Sequence, residues 1–172
     1  MRLDDDDFKL FGMPPQQALD RAELDARWRD LQGAAHPDRF AADGAAAQRV
    51  AMQWALRINE AYQRLKDPVR RAAYLCEQRG APIDAERNTA MPADFLLQQM
   101  AWREALDEAA GAAALQALED EVQAQERSLL GALQSDLDEG GAVADAAQKV
   151  RALMFVNRFR QDLERRLDAL PQ

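Results

Sequence analysis

Cysteine and histidine are nearly missing from this chain, with one of each, Cys76 and His36, in 172 residues. A single cysteine excludes an internal disulfide and a cysteine-rich metal centre. It lies in an apolar stretch and reads as a small buried hydrophobe. A single histidine excludes a histidine-rich metal site and leaves no Cys–His pair for nucleophilic catalysis. Glycine is scarce, at eight residues, and Gly12, Gly33 and Gly44 stand alone, so no glycine-rich phosphate loop is present. No catalytic residue, metal or cofactor is nominated, and the chain is expected not to be an enzyme. A basic surplus is also lacking. The net charge of −8 argues against a nucleic-acid partner, since neutralising phosphates requires Lys and Arg in excess. No apolar run approaches the ~18 residues that suggest a membrane span. Met1 to Phe8 has neither the basic nor the apolar region of a secretory signal. A cytoplasmic protein with no membrane partner is expected. No stretch alternates with period two, so no sheet is expected.

What remains is a helical chain. It is rich in alanine, 30% charged and 48% hydrophobic, and long enough to bury a core. Four acids, Asp4 to Asp7, precede Phe8, Leu10 and Phe11, and are read as favouring the positive end of a short first helix. Asp20 with Glu23 resembles a capping box that opens a second helix. Its apolar positions Leu24, Trp28, Leu31 and Ala35 share one face. A third helix runs from Asp43–Gly44 to about Lys66, with the stripe Ala47, Val50, Trp54, Ile58, Ala61, Tyr62 and Leu65. The matched stripes should pack as an antiparallel hairpin.

Between these helices lies Ala34-Ala35-His36-Pro37-Asp38-Arg39-Phe40. Proline lacks an N–H and clashes with the preceding turn, so a helix cannot run comfortably through His36. The only imidazole is thereby displayed beside an acid and a base on a forced loop. The arginines on the preceding helix, Arg21, Arg27 and Arg29, are either solvated surface or part of what this loop serves. Asp67-Pro68 restarts a fourth helix that stops near Gly80.

Residues 81–91 read as a linker, being polar and bracketed by Pro82 and Pro92. Beyond it three longer helices are expected near 92–110, 112–138 and 143–169, joined by short turns as a bundle. The middle one carries Leu115, Leu118, Val122, Leu129, Leu133 and Leu137 on one face. The last carries Val150, Leu153, Val156, Leu163, Leu167 and Leu170. The helix from Pro92 has more apolar residues than one face can hold. Phe95, Trp102, Leu106 and Ala109 follow core spacing, while Leu96, Leu97 and Met100 project elsewhere, on a side that continues into Glu104 and Glu108. Phe155 likewise sits beside its stripe. Either this helix is central and buried on both faces, or these residues form a protein-binding patch rimmed by carboxylates.

This arrangement resembles a J-domain: a short apolar helix, a helix pair joined by His-Pro-Asp, and a further short helix. The second half narrows the likeness to the HscB-type J-domain co-chaperones of iron–sulfur cluster assembly. Phe8-Lys9-Leu10-Phe11-Gly12-Met13-Pro14 is similar to that family's opening. Asp30-Leu31-Gln32 followed by His36-Pro37-Asp38-Arg39-Phe40 resembles its loop. Ile58 to Leu65 and Asp67 to Leu75 resemble the end of its J-domain, and Asp94 to Glu108 the start of its C-terminal bundle.

The resemblance implies an all-α protein shaped as an L. It would have a J-domain over 1–80, a linker over 81–91 and a three-helix bundle over 92–172. It implies a monomeric adaptor that presents the scaffold protein IscU to the heat-shock chaperone HscA and stimulates the chaperone's ATPase. His36, Pro37, Asp38, Arg27, Arg29 and Arg39 would engage the chaperone. Leu96, Leu97, Met100, Glu104, Glu108 and Phe155 match positions facing the scaffold. A general J-domain protein for other clients, or a helical interaction module without effect on an ATPase, are the alternatives. Four departures stand out. Ala35 takes the place of a common tyrosine, and Arg39 that of a lysine. Gly33 weakens its helix by about 1 kcal/mol relative to alanine, and Ala101 stands where a relative carries an acid.

Overall fold

The computed structural model describes residues 1–171, and all regular structure among them is helical. The chain divides into two compact units, Met1–Leu75 and Cys76–Gln172. The division falls inside a helix, a few residues before the Gly80 stop signal.

In the first unit, α1 (Asp7–Leu10) is capped by Asp6, whose carboxylate accepts the Lys9 N–H at 3.0 Å. The four acids before Phe8 do not act alike. Asp7 is completely buried and ion-paired with Arg57 at 2.9 Å and Arg64 at 3.1 Å. Its backbone N–H donates to the Tyr74 hydroxyl. A buried carboxylate needs this pairing, because desolvation alone would expel it. The short helix is thus pinned at its start, and it buries Phe8, Leu10 and Phe11.

α2 (Arg21–Ala35) begins where Asp20 accepts the N–H groups of Ala22 and Glu23 at 2.9 and 3.2 Å. Only half of the expected capping box forms, since the Glu23 carboxylate turns to Arg27. α3 (Ala45–Lys66) runs antiparallel to α2. Arg21 reaches the Lys66 carbonyl, Trp28 stacks on Tyr62 with centroids 4.6 Å apart, and Gln32 reaches the Ala55 carbonyl. Leu24, Ile58, Ala61 and Leu65 are buried at this seam, the larger ones contributing about 1.5–3 kcal/mol each. Tyr62 donates to Asp25 at 2.7 Å, and Arg21 donates to both. The Arg21 hydrogen bond, then that of Tyr62, holds the Asp25 carboxyl below the usual carboxylate range.

α4 (Pro68–Gln78) opens as its sequence indicates, with Asp67 accepting from Val69 and Arg70. Its last turn belongs to the second unit and contains Cys76. Burial pushes that thiol up to about 11, which suits a packing residue.

The second unit contains α5 (Ala93–Glu108), α6 (Ala112–Ser135) and α7 (Val143–Asp168). α6 ends in one wide turn over Asp136–Gly140, and Gly141 leaves it with φ +61°, a conformation glycine adopts without penalty. The expected stripes are buried, except that Ala109, Leu167 and Leu170 are only half covered. Phe159, outside the expected stripe, is completely buried. It joins Phe95 and Trp102 in an aromatic cluster, with Trp102 5.8 Å from Phe95 and 5.5 Å from Phe159. Residues 81–91 are irregular but not loose. Ile83 is buried, and the buried Arg151 donates to the carbonyls of Ile83, Ala90 and Pro82 at 2.9, 3.1 and 3.4 Å. An irregular segment has carbonyls without ladder partners, and one guanidinium with five donors satisfies three of them. The expected linker is therefore bound to the second unit.

Candidate functional sites

The loop in the first unit is built by its own residues. His36 leaves helical geometry at φ −61°, ψ 127°, and Pro37 starts a short 3-10 helix over Pro37–Asp43. Proline suits a first position because its fixed φ is preset and its missing N–H leaves no orphan donor. The next donor, the Asp38 N–H, is taken by His36 Nδ1 at 3.3 Å. The Arg39 N–H donates to the His36 carbonyl at 3.0 Å, and the Arg39 guanidinium reaches back to the Gly33 carbonyl. The loop is thus a defined turn. The side chains of His36 and Asp38 are 57% and 91% exposed, with Nδ1 3.6 Å from the Asp38 carboxylate.

Arg29 lies two turns before His36, exposed and without a side-chain hydrogen bond or ion pair among the described residues. Arg27 is placed differently from its neighbour. Its guanidinium donates to the carbonyls of Phe11 at 2.6 Å and Gly12 at 2.9 Å, capping the end of α1. Gly12 is at φ +61°, and a Cβ there would lie 2.9 Å from Arg27 Nη1. His36, Pro37, Asp38 and Arg39 are therefore brought together with Arg29 near them, while Arg27 faces α1.

Beside this loop the hairpin does not close. Leu31, Ala35 and Trp54 are only half-buried and Val50 is exposed. A cavity of about 440 Å³ lies between them, walled also by Ala34, Phe40, Ala47, Ala51 and Met1. The stripes read from the sequence as continuous core part here, because alanine side chains are too short to fill the space between the helices.

On the second unit, α5 buries Phe95, Trp102 and Leu106 and exposes Leu96, Leu97 and Met100 at 41%, 71% and 67%. The helix is buried on one face only, so it is not a central helix buried on both faces. Glu104 and Glu108 are exposed farther along it. Phe155 is half-buried, with its ring 5.8 Å from Phe95, and the Arg103 guanidinium lies over it at 5.6 Å. Arg103 is held in turn by Asp162 at 3.0 Å. The Arg103 hydrogen bond, then that of Arg165, lowers the Asp162 carboxyl. Glu121 on α6 accepts from Gln98 and Trp102 at 3.0 and 3.2 Å, adding an acid beside α5. Neither Arg103 nor Glu121 could be nominated from periodicity, since each is defined by a partner on another helix.

Among the described residues no three His, Cys, Asp or Glu side chains are placed to hold a metal. No helix among the described residues is long and apolar enough to cross a membrane. The two surfaces differ in character: an exposed polar turn on one unit and an exposed apolar helix face on the other.

Comparison with known proteins bears on these surfaces. Residues 91–164 match the family described as the HSCB C-terminal oligomerisation domain. The chain is 50% identical over 171 residues to a co-chaperone protein HscB homolog of Burkholderia thailandensis, covering 98% of this chain and 97% of the relative. It is 48% identical over 160 residues to the homolog of Bordetella pertussis, covering 92% and 94%. Chaperone HscB from Vibrio cholerae superposes with a TM-score of 0.84 at 37% identity, over 97% of this chain and all of that one. Human co-chaperone HscB shares the fold at TM-score 0.90 and 24% identity, over 99% and 86%.

Proposed function

The chain belongs to the HscB family of co-chaperones, and from that premise we propose that it delivers an IscU-type iron–sulfur scaffold to an HscA-type heat-shock chaperone. In doing so it stimulates the chaperone's ATPase, acting as a cytoplasmic monomer and performing no chemistry of its own. The observation that carries the reading is the division of α5, which exposes Leu96, Leu97 and Met100 while burying Phe95 and Trp102. A helix already satisfied on one face has no fold-related need for a second apolar face.

The scaffold would seat on Leu96, Leu97, Met100 and Phe155, with Glu104 and Glu108 setting register more than affinity. Residues 76–172 hold 18 acids against 10 bases, which favours a partner with a basic rim over a second copy of the same face. On the first unit, His36, Pro37, Asp38, Arg29 and Arg39 would meet the chaperone, with Arg27 supporting them through α1. The loop would fit the chaperone better as hydrolysis is approached, and so lower that barrier by differential binding. His36 would supply contacts and shape without proton transfer.

The test is the ATPase rate of the HscA-type chaperone with the full chain, with and without the scaffold. Stimulation by the chain alone, raised further by the scaffold, is expected. No stimulation would overturn the reading. Stimulation raised equally by assorted unfolded proteins would replace it with a general J-domain function.

A further inference from the structure

Arg151 on α7 is a buried cation with no anion beside it. It is 6% exposed, and its guanidinium donates to the carbonyls of Ile83, Ala90 and Pro82 at 2.9, 3.1 and 3.4 Å. Those acceptors are neutral, and among the described residues no carboxylate pairs with it. Arg160, farther along the same helix and more exposed, holds two carboxylates, Glu119 at 3.1 Å and Glu126 at 2.8 Å. Taking a charge out of water is costly, and bonds to neutral dipoles offset that cost without cancelling the charge. Holding residues 81–91 requires donors but does not require a charge. A guanidinium carries five N–H donors in one plane, so the three carbonyls leave two uncommitted. Pro82 and Ala90, whose carbonyls it holds, line a cavity of about 360 Å³ together with Arg151 itself. Ala144 and Ala147 add small apolar wall, and Asn88 and Gln148 add side-chain amides. The Asn88 side-chain oxygen is taken by the Ala90 N–H at 3.1 Å, which leaves its NH2 as the group able to serve the cavity. Pro82, Asn88, Ala90 and Ala144 are exposed while Arg151 is buried, so the charge lies at the inner end.

We propose that this cavity binds a small monocarboxylate, its carboxylate paired with Arg151 and its short alkyl body against Pro82, Ala90, Ala144 and Ala147. A planar guanidinium fork matches the two oxygens of a carboxylate. One negative charge balances the one positive charge, whereas a phosphate group, at about −1.5 to −2 near neutral pH, would leave an excess of negative charge in a desolvated place. Chloride balances the charge but has neither the plane nor the apolar body that the walls suit. The amides of Asn88 and Gln148 can donate to a carboxylate oxygen without adding charge. The site uses no residue assigned to the chaperone or to the scaffold, so it is independent of the co-chaperone reading.

The experiment titrates the isotope-labelled full chain with propionate at constant ionic strength, with chloride and phosphate as separate arms. The Arg151 Nε–H and the backbone amides of Ala90 and Gln148 are followed by NMR. Propionate should shift these signals saturably, with half-saturation at about 10 mM, the range open to a ligand of so few atoms; chloride should not. Gln148→Glu places a carboxylate at the cavity. It should weaken propionate binding about ten-fold or more and raise the melting temperature, because it supplies the anion that Arg151 lacks. Ala144→Leu, at an exposed position, narrows the cavity and should weaken binding about ten-fold with the melting temperature unchanged. Shifts that fail to saturate, or that chloride reproduces, overturn the site. Phosphate binding as tightly as propionate overturns the choice of a carboxylate. Undiminished propionate binding in both variants overturns the placement at Arg151.

Discussion

On the co-chaperone reading proposed above, the two units would meet their partners by different means. Residues 1–75 balance 12 bases against 12 acids, so the whole net charge of −8 falls on residues 76–172. The first unit offers a few polar groups on a turn whose shape its own hydrogen bonds fix. The second offers apolar area on a helix whose opposite face holds the core. Directional groups are effective only when their geometry is held, so the first site would depend on distant supports such as Asp7 and Arg27. An apolar face is tolerant of small shifts, because its contribution scales with area more than with angle. Damage remote from the contact surface should therefore matter in the first unit, whereas in the second the contact residues themselves should dominate.

The largest expected effect is on the apolar face. Replacing Leu96, Leu97 and Met100 together by alanine should weaken scaffold binding by about three orders of magnitude in calorimetry, as for a cluster of central anchors. These side chains are exposed, so the melting temperature should stay within a few degrees of the wild type, and chaperone stimulation without scaffold should be unchanged. Loss of that stimulation would show that the two sites are not separable.

Next comes Asp7→Asn, which sharpens the contrast from the other side. It leaves Arg57 and Arg64 without their buried partner. Both arginines keep some solvent access, so the cost should lie near the low end for a broken buried pair, about 3 kcal/mol in denaturant unfolding. Chaperone stimulation should fall although Asp7 touches no partner, while scaffold binding should be unaffected.

The smallest effect concerns Asp25. Its carboxyl titrates below the ordinary range because of Arg21, then Tyr62. A depressed folded-state value stabilises the fold above the unfolded titration, near about pH 3.9, and that contribution disappears as the pH falls through the lower folded value. Asp25→Asn should flatten the acid limb of the stability profile, and 1 M salt should mask part of the difference, since the pair is partly exposed. An unchanged acid limb would show that the group has no linkage to folding.

Much of the hairpin was legible because its signals are local. Asp20, Pro37 and Asp67 act on amides within three residues, so cap chemistry alone places the ends of α2, the turn and α4. Leu97 and Met100 could be singled out because three apolar residues lay off a face that already had a core. Phe159 lies three residues after Val156 and four before Leu163, so helical spacing alone places it on the buried face, and its packing against Trp102 agrees with that. The anchoring of residues 81–91 was not legible in the same way. Their composition is that of a loop, and nothing in residues 81–91 announces Arg151 some sixty residues on.

By itself the sequence determined helical content, the placement of the turn at His36 and the surplus apolar face of α5, since each follows from residues within a few turns of one another. Tertiary structure decided which charges are structural and which are offered. Asp7 and Arg27 look in sequence like their neighbours Asp4 and Arg29. They differ because folding brings Arg57 and Arg64 to the wholly buried Asp7, and turns Arg27 onto the carbonyls at the end of α1 while part of its side chain stays exposed; a charge as paired and desolvated as that of Asp7 is no longer available to a partner. The open end of the hairpin was decided in the same way: the apolar pattern runs on toward the loop, but alanine supplies too little volume there to close it.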